Sequence, residues 1–231
     1  MSSLPSTPSE LAALIDHTLL RPDAGENEIA QLCAEATQYR FATVCIQPCR
    51  VKLAAQQLSG CGTRVCSVVG FPHGATPTAV KVFEARMASD EGAQELDMVM
   101  NIGAARDADW DWVETDIRAV VAAANARRVV VKVILECALL SEEEKRRAAE
   151  ITAQSGAAFV KTSTGYASHG ALVEDVRLLR SCVGDRCGVK AAGGIRELPV
   201  AMEMLKAGAN RLGCSAGIAL IEQMKLLQEK A

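Results

Sequence analysis

Three ionisable side chains interrupt apolar, strand-like runs: Asp97 in ELDMVMN, Lys161 in FVKTSTG and Lys190 in GVKAAGGI. Lysine is seldom fully buried unless something pairs with it or uses it. In a low-dielectric site beside a second cation, an ammonium gives up its proton more readily, and the free amine attacks carbonyl carbon. Two lysines and a carboxylate able to meet in one pocket therefore point to Schiff-base chemistry. The plainer alternative is that each lysine runs its stem along a strand end and leaves its head in water. One lysine fits that account; two, each followed by small residues and glycine, fit the pocket better.

Glycines form a second constellation. Ser163-Thr164-Gly165, Gly193-Gly194 and Gly213-Cys214-Ser215 each follow a strand-like run. Backbone amides exposed by glycine beside helix N-termini make an anion cradle, and parallel barrels often hold a phosphate after their last strands. Tight strand-to-helix turns alone would also use glycine. Their recurrence after three consecutive runs favours phosphate.

The elements that must position these groups alternate along the whole chain. Strand candidates are LIDHTLL, ATVCIQ, RVCSVVG, ELDMVMN, RVVVKVILE, FVKTSTG, GVKAAGGI and RLGCSAG, separated by helical segments. Near-continuous apolar strands alternating with helices indicate a parallel sheet covered on its faces. Successive strands are marked by Cys45, Ser67, Asp97, Lys132, Lys161, Lys190 and Gly213, at steps of roughly 20 to 35 residues, one βα unit each. No G-x-G-x-x-G follows the first strand, so a dinucleotide fold lacks its main sign. The expected fold is α/β, a single (β/α)8 TIM barrel over residues 1–231 with a short N-terminal helix. Ser9 is the expected cap of that helix, Thr76 and Pro77 the start of a second, and Ser141 with Glu144 a capping box for a third.

In such a barrel alternate strand residues point inward and active sites lie at the carboxyl ends. The alternation turns Asp97 inward with Glu95 and Val99, Lys132 with Val130 and Ile134, Lys161 with Phe159 and Ser163, and Lys190 with Gly188 and Ala192. A barrel this small must be filled, so inward charges must pair or surround a ligand.

Composition sets the outer limits. The chain has 231 residues, 49% of them hydrophobic, and a formal net charge of −3 with no basic run. That gives no reason to expect nucleic acid or an anionic membrane as partner. The first residues, MSSLPSTPSE, lack the pattern of a secretory signal, and VVVKVIL is broken by Lys132. Nine scattered cysteines without zinc spacing, and three histidines, argue for a reduced, cytoplasmic protein without a structural metal.

The segments FVKTSTG, VKAAGGIR, ELDMVMNIG, VVVKVILE and FPHGAT resemble those of the deoxyribose-phosphate aldolase family, from about Leu14 to about Gly217. The resemblance implies a Schiff-base aldolase that needs no metal or other cofactor. Such an enzyme cleaves 2-deoxy-D-ribose 5-phosphate reversibly to D-glyceraldehyde 3-phosphate and acetaldehyde. It makes Lys161 the Schiff-base lysine, Lys190 the lysine that perturbs it, and Asp97 the carboxylate that moves protons with Lys190 and water. It places Asp16, Cys45 and Lys132 along the same pocket. Gly165, Gly193, Gly194, Arg196, Gly213 and Ser215 are placed around the phosphate. His73 is expected to shape a loop. Relatives of this kind are commonly dimers or tetramers, so a homo-oligomer binding only small phosphosugars and aldehydes is expected.

Two departures stand out. Some relatives carry lysine where this chain has Tyr166, which should weaken the hold on a phosphate dianion. Some use a tyrosine in a C-terminal tail for proton transfer; the tyrosines here are Tyr39 and Tyr166, which leaves water or Asp97 for that task. Two rivals remain at this point. A non-covalent phosphosugar isomerase or synthase would need a Glu/His pair, and only His17 lies in a strand. A non-catalytic phosphosugar-binding protein should lack one of the three chemical residues.

Overall fold

Val, Ile, Leu, Met and Cys dominate the eight strands, and such residues pack best on a pleated surface covered from both sides. The computed structural model describes residues 4–229. A short helix α1 (Pro8–Ala12) precedes β1 (Ile15–Leu19), α2 (Glu26–Tyr39), β2 (Thr43–Ile46), α3 (Val51–Gln57) and β3 (Arg64–Val69). Then come α4 (Thr78–Asp90), β4 (Glu95–Val99), α5 (Ile102–Arg106), α6 (Trp110–Asn125), β5 (Val130–Ile134) and α7 (Glu142–Gln154). The last third holds β6 (Phe159–Lys161), α8 (Val173–Val183), β7 (Gly188–Ala192), α9 (Leu198–Lys206), β8 (Arg211–Cys214) and α10 (Gly217–Gln228). All strand pairs are parallel and β8 returns to β1, closing a (β/α)8 barrel. All eight strand-like runs of the sequence are strands. Among the described residues no helix is long and apolar enough to cross a membrane.

The helix starts are partly corrected. Thr7, not Ser9, caps α1: its hydroxyl accepts from the Glu10 amide at 3.2 Å, and the Glu10 carboxyl reaches back to the Thr7 amide at 3.1 Å. Pro8 then takes the first helical position, where its missing N–H costs nothing. In α4 the cap is Pro77 itself, without a side-chain bond, and the helix starts at Thr78. A residue ahead of proline is driven out of helical backbone, which leaves Thr76 outside. The Ser141/Glu144 box on α7 is formed as expected.

The main apolar core lies between the outer face of the barrel and the helices; Val44, Leu96, Met98, Val131, Val133, Val160, Val189 and Leu212 are buried there. The inner face is different. Asp16, Glu95, Asp97, Lys132, Lys161, Lys190 and Arg211 are all buried inside it. Glycine makes room for two of the long inner side chains. A Cβ on Gly213 would sit 2.9 Å from Lys190 Cε, and one on Gly188 would sit 2.4 Å from the Phe159 ring.

Candidate active site

Strand register brings the charged residues into layers. Lys161 on β6 pairs in register with Lys190 on β7 and with Ile134 on β5. Lys132, two residues before Ile134, is level with Asp97 on β4 and Phe159 on β6. Lys132 therefore sits one inward layer deeper than Lys161.

Asp97 is the hub. Its Oδ2 accepts from Lys161 Nζ at 2.7 Å and from Lys190 Nζ at 2.7 Å, while its Oδ1 accepts from Lys132 Nζ at 2.8 Å and from the Cys66 thiol at 3.2 Å. Lys190 also donates to Asp16, and Lys132 reaches Glu95 at 2.7 Å. Arg211 Nη1 closes the network, donating to Asp16 at 2.6 Å and to Glu95 at 3.1 Å, with its guanidinium 5.3 Å from the Phe159 ring centre. Burying this many charges costs free energy that only such dense pairing offsets.

The electrostatics follow. Burial pushes the Asp97 carboxyl up, but Lys132, Lys161 and Lys190 outweigh it and hold it well below the carboxylate range. Asp16 is likewise lowered, by Lys190, Lys132 and Arg211 against its burial. Burial pulls Lys190 down, and the attraction of Asp16 and Asp97 prevails, so it stays an ammonium. Lys132 is raised in the same way, chiefly by Asp97 against its burial. The Cys66 thiol is pushed well up by burial and remains a donor to Asp97. Three carboxyls, Asp16, Glu95 and Asp97, meet Lys132, Lys161, Lys190 and Arg211 inside the barrel, and Glu95 also pairs with the half-exposed Arg64 at 2.8 Å. Of the four inner basic groups Lys161 is the one that reaches the cleft above.

That cleft, about 550 Å³, lies at the carboxyl ends of β1, β6, β7 and β8. Lys161 is in its floor, and Gly165, Gly193, Gly194, Arg196, Gly213 and Ser215 line its walls, as do Thr18, Leu19, Leu20, Arg21 and Tyr166. The amides of Gly165, Gly193, Gly194 and Ser215 find no acceptor among the described residues. Arg196 is exposed and forms no ion pair among them. Free amides and an unpaired guanidinium on one side, and an amine on the floor, suit a small phosphorylated carbonyl compound.

Asp16, Cys45, Lys132, Lys190 and Asp97 are not on the cleft wall. They are wholly buried, Cys45 in a small apolar cluster with Leu20, Cys66, Val68 and Phe71. The expectation that Asp16, Cys45 and Lys132 line the pocket is thereby corrected. Lys132 lies two residues below Ile134, the register partner of Lys161. Asp16 and Cys45 are level with the cleft-lining Gly213 and Thr18 but wholly covered, Asp16 by its contacts with Lys190 and Arg211 and Cys45 by its apolar cluster. His73 is exposed in the β3–α4 loop. His17 turns outward and bonds Glu35 on α2 at 2.8 Å, away from the lysines. Arg211, Cys66 and Arg21 were missed by the sequence reading. Arg211 was within reach of it, two residues before Gly213 on the same strand face.

Cys45, Cys66 and Asp97 place their ligand-type atoms within 4.8 Å of one another. The same oxygens of Asp97 already serve three lysines, so a metal cation there would meet strong repulsion.

A closed parallel barrel with a lysine amine at the floor of its carboxyl-end cleft defines an enzyme poised for carbonyl chemistry. The chain belongs to the DeoC/LacD family of aldolases, whose sequence profile matches residues 11–222. A deoxyribose-phosphate aldolase of Thermococcus gammatolerans is 54% identical over 215 residues, which span 92% of this chain and 96% of that one. Deoxyribose-phosphate aldolase 1 of Cutibacterium acnes is 54% identical over 211 residues, spanning 91% of this chain and 96% of that one. The solved tetrameric deoxyribose phosphate aldolase of Aeropyrum pernix superposes with a TM-score of 0.90 at 34% identity, over 96% of this chain and 93% of that one.

Proposed function

We propose that this barrel, acting as one unit, cleaves 2-deoxy-D-ribose 5-phosphate reversibly to D-glyceraldehyde 3-phosphate and acetaldehyde through a Schiff base on Lys161. The observation that carries the proposal is the Lys161 amine in the cleft floor, 2.7 Å from Asp97 Oδ2, facing glycine amides with no acceptor. Neutral Lys161 attacks the C1 carbonyl, and loss of water gives a protonated imine. Removal of the C3-hydroxyl proton breaks the C2–C3 bond, and its electron pair flows to the imine nitrogen. Asp97, through Lys190 or water, takes that proton. Protonation of the enamine at C2 and hydrolysis release acetaldehyde. The phosphate, held by Gly165, Gly193, Gly194, Gly213, Ser215 and Arg196, orients the sugar so that remote binding energy serves the reacting bond. Asp16 and Lys132 act by holding Lys190 and Asp97 in place, and Cys45 packs in the apolar cluster beside them.

The family resemblance supports a cytoplasmic, homo-oligomeric enzyme without metal. The tetrameric Aeropyrum relative supports association, as does the exposed apolar row Val80, Phe83 and Met87 on α4. The test of the chemistry is borohydride reduction in the presence of acetaldehyde. An ethyl group on Lys161, mapped by mass spectrometry, is expected; labelling elsewhere, or none, would sink the mechanism.

A further inference from the structure

Glu136 follows β5, forms no ion pair with the lysine network among the described residues, and has no part in the chemistry above. It is 3% exposed and holds left-handed backbone, φ 58° and ψ 66°, which a residue with a Cβ adopts only under constraint. Its carboxyl group has one partner among the described residues, Thr164. The Thr164 amide donates to both of its oxygens, at 3.4 and 3.3 Å, and the Thr164 hydroxyl donates to Oε2. The same hydroxyl accepts from the Tyr166 amide at 3.1 Å. The amides on either side of Gly165 are thus both consumed, while the Gly165 amide has no acceptor. Gly165 has φ 91° and open space where a side chain would stand. The far end of the turn is fixed by the Tyr166 hydroxyl, which donates to the Leu20 carbonyl at 2.8 Å, and by its ring, edge-on to Phe71 at 5.5 Å.

A buried acid beside an anion cradle is otherwise a poor choice. It costs desolvation, and any charge it carries repels phosphate. We infer that Glu136 is a positioning residue that fixes which amide of Thr164-Gly165-Tyr166 faces the substrate, and so sets the preference for phosphorylated over unphosphorylated sugar. The inference rests on the phosphate site proposed above.

Glu136→Gln separates orientation from charge. Glutamine replaces one of the two oxygens that face the Thr164 amide with an NH2 group, setting a donor against a donor, so the turn loosens, while any negative charge disappears. Orientation predicts weaker phosphate binding and charge alone predicts tighter. The readouts are kcat and KM for deoxyribose 5-phosphate and deoxyribose, and competitive inhibition by inorganic phosphate. The expected result is a fall of about tenfold in the ratio of kcat/KM values, phosphorylated over unphosphorylated, carried mainly by KM, with phosphate inhibition weakened in step. Thr164→Val should do the same, and Thr164→Ser, which keeps the hydroxyl, should recover most of the loss. Thr164→Val carries the test if the glutamine variant does not fold. Ser215→Asp, which puts a carboxylate into the cradle, checks the underlying site. If it leaves phosphate inhibition unchanged, the cradle is misplaced and the inference falls with it. If Ser215→Asp weakens inhibition while Glu136→Gln and Thr164→Val tighten it, or alter both sugars alike, the positioning role is overturned.

Discussion

Lys161 and Lys190 lie side by side in register on adjacent strands, and both Nζ atoms point at a single oxygen, Asp97 Oδ2, each at 2.7 Å. Two basic groups sharing one acceptor sense each other's charge. Lys161 and Lys190 are therefore one unit with the carboxylate, not three separate residues.

Asp97→Asn tests that unit. The change leaves Lys132, Lys161 and Lys190 without their common counter-charge in a buried site. Removing one partner of a buried ion pair costs about 3–5 kcal/mol, so the variant should unfold at clearly lower urea as well as lose turnover. Reduced-imine yield should fall less than turnover, because Lys161 remains in the cleft. If yield and turnover fell equally, Asp97 would be needed before carbon–carbon cleavage.

Lys190→Met keeps a long straight side chain in the space that Gly213 leaves, and removes the cation. Loss of a group that assists proton transfer typically lowers the rate by about 10²-fold or more. With the neighbouring positive charge gone, the acidic limb of the pH–rate profile should move to higher pH. A profile with the same midpoint would count against coupling between the two lysines.

Acid should unfold the protein through its inner carboxyls. Asp16 and Asp97 are held below their ordinary values by the surrounding cations, against burial. A depressed carboxyl stabilises the fold above its unfolded value, about 4, and that contribution is lost as pH falls toward the folded one. The raised Lys132 and Lys190 act at the other end. Their contribution is complete below about 10.4 and is lost only as pH rises through their folded values. The urea midpoint should therefore drop steeply between about pH 4 and pH 2, and less steeply in Asp97→Asn. A flat midpoint across that range would show that the network adds nothing to stability.

Tyr166→Lys exchanges the bond to the Leu20 carbonyl and the contact with Phe71 for a cation at the mouth of the cleft. A charge-assisted contact contributes about 1.5–3 kcal/mol, or roughly ten- to hundredfold. kcat/KM should rise for deoxyribose 5-phosphate relative to deoxyribose. Equal changes for both substrates would mean that position 166 does not sense the phosphate.

The strands were legible because each is a nearly unbroken apolar run, and period-2 alternation then set Asp97, Lys132, Lys161 and Lys190 facing inward. The depth of each residue was not legible. Whether Lys132 or Lys161 reaches the cleft depends on register between strands, which no local pattern records. Arg211 contacts Asp16 and Glu95 across 195 and 116 residues of chain. The tie from Glu136 to Thr164 depends on one left-handed residue, and a glutamate announces no such backbone. The cap of α1 was missed for a smaller reason: Thr7 and Ser9 are both good cap residues, and Glu10 three places after Thr7 decided between them.

The charged interior of the barrel also constrains how this sequence can drift. Asp16, Glu95, Lys132 and Arg211 lie in one contact network that shares acceptors, and each is 8% exposed or less. Neutralising any one strands a charge on another strand, whereas an apolar core position tolerates change singly. Along a lineage these positions should therefore be replaced in compensating sets or not at all, and a library built one substitution at a time should find almost no tolerated change among them.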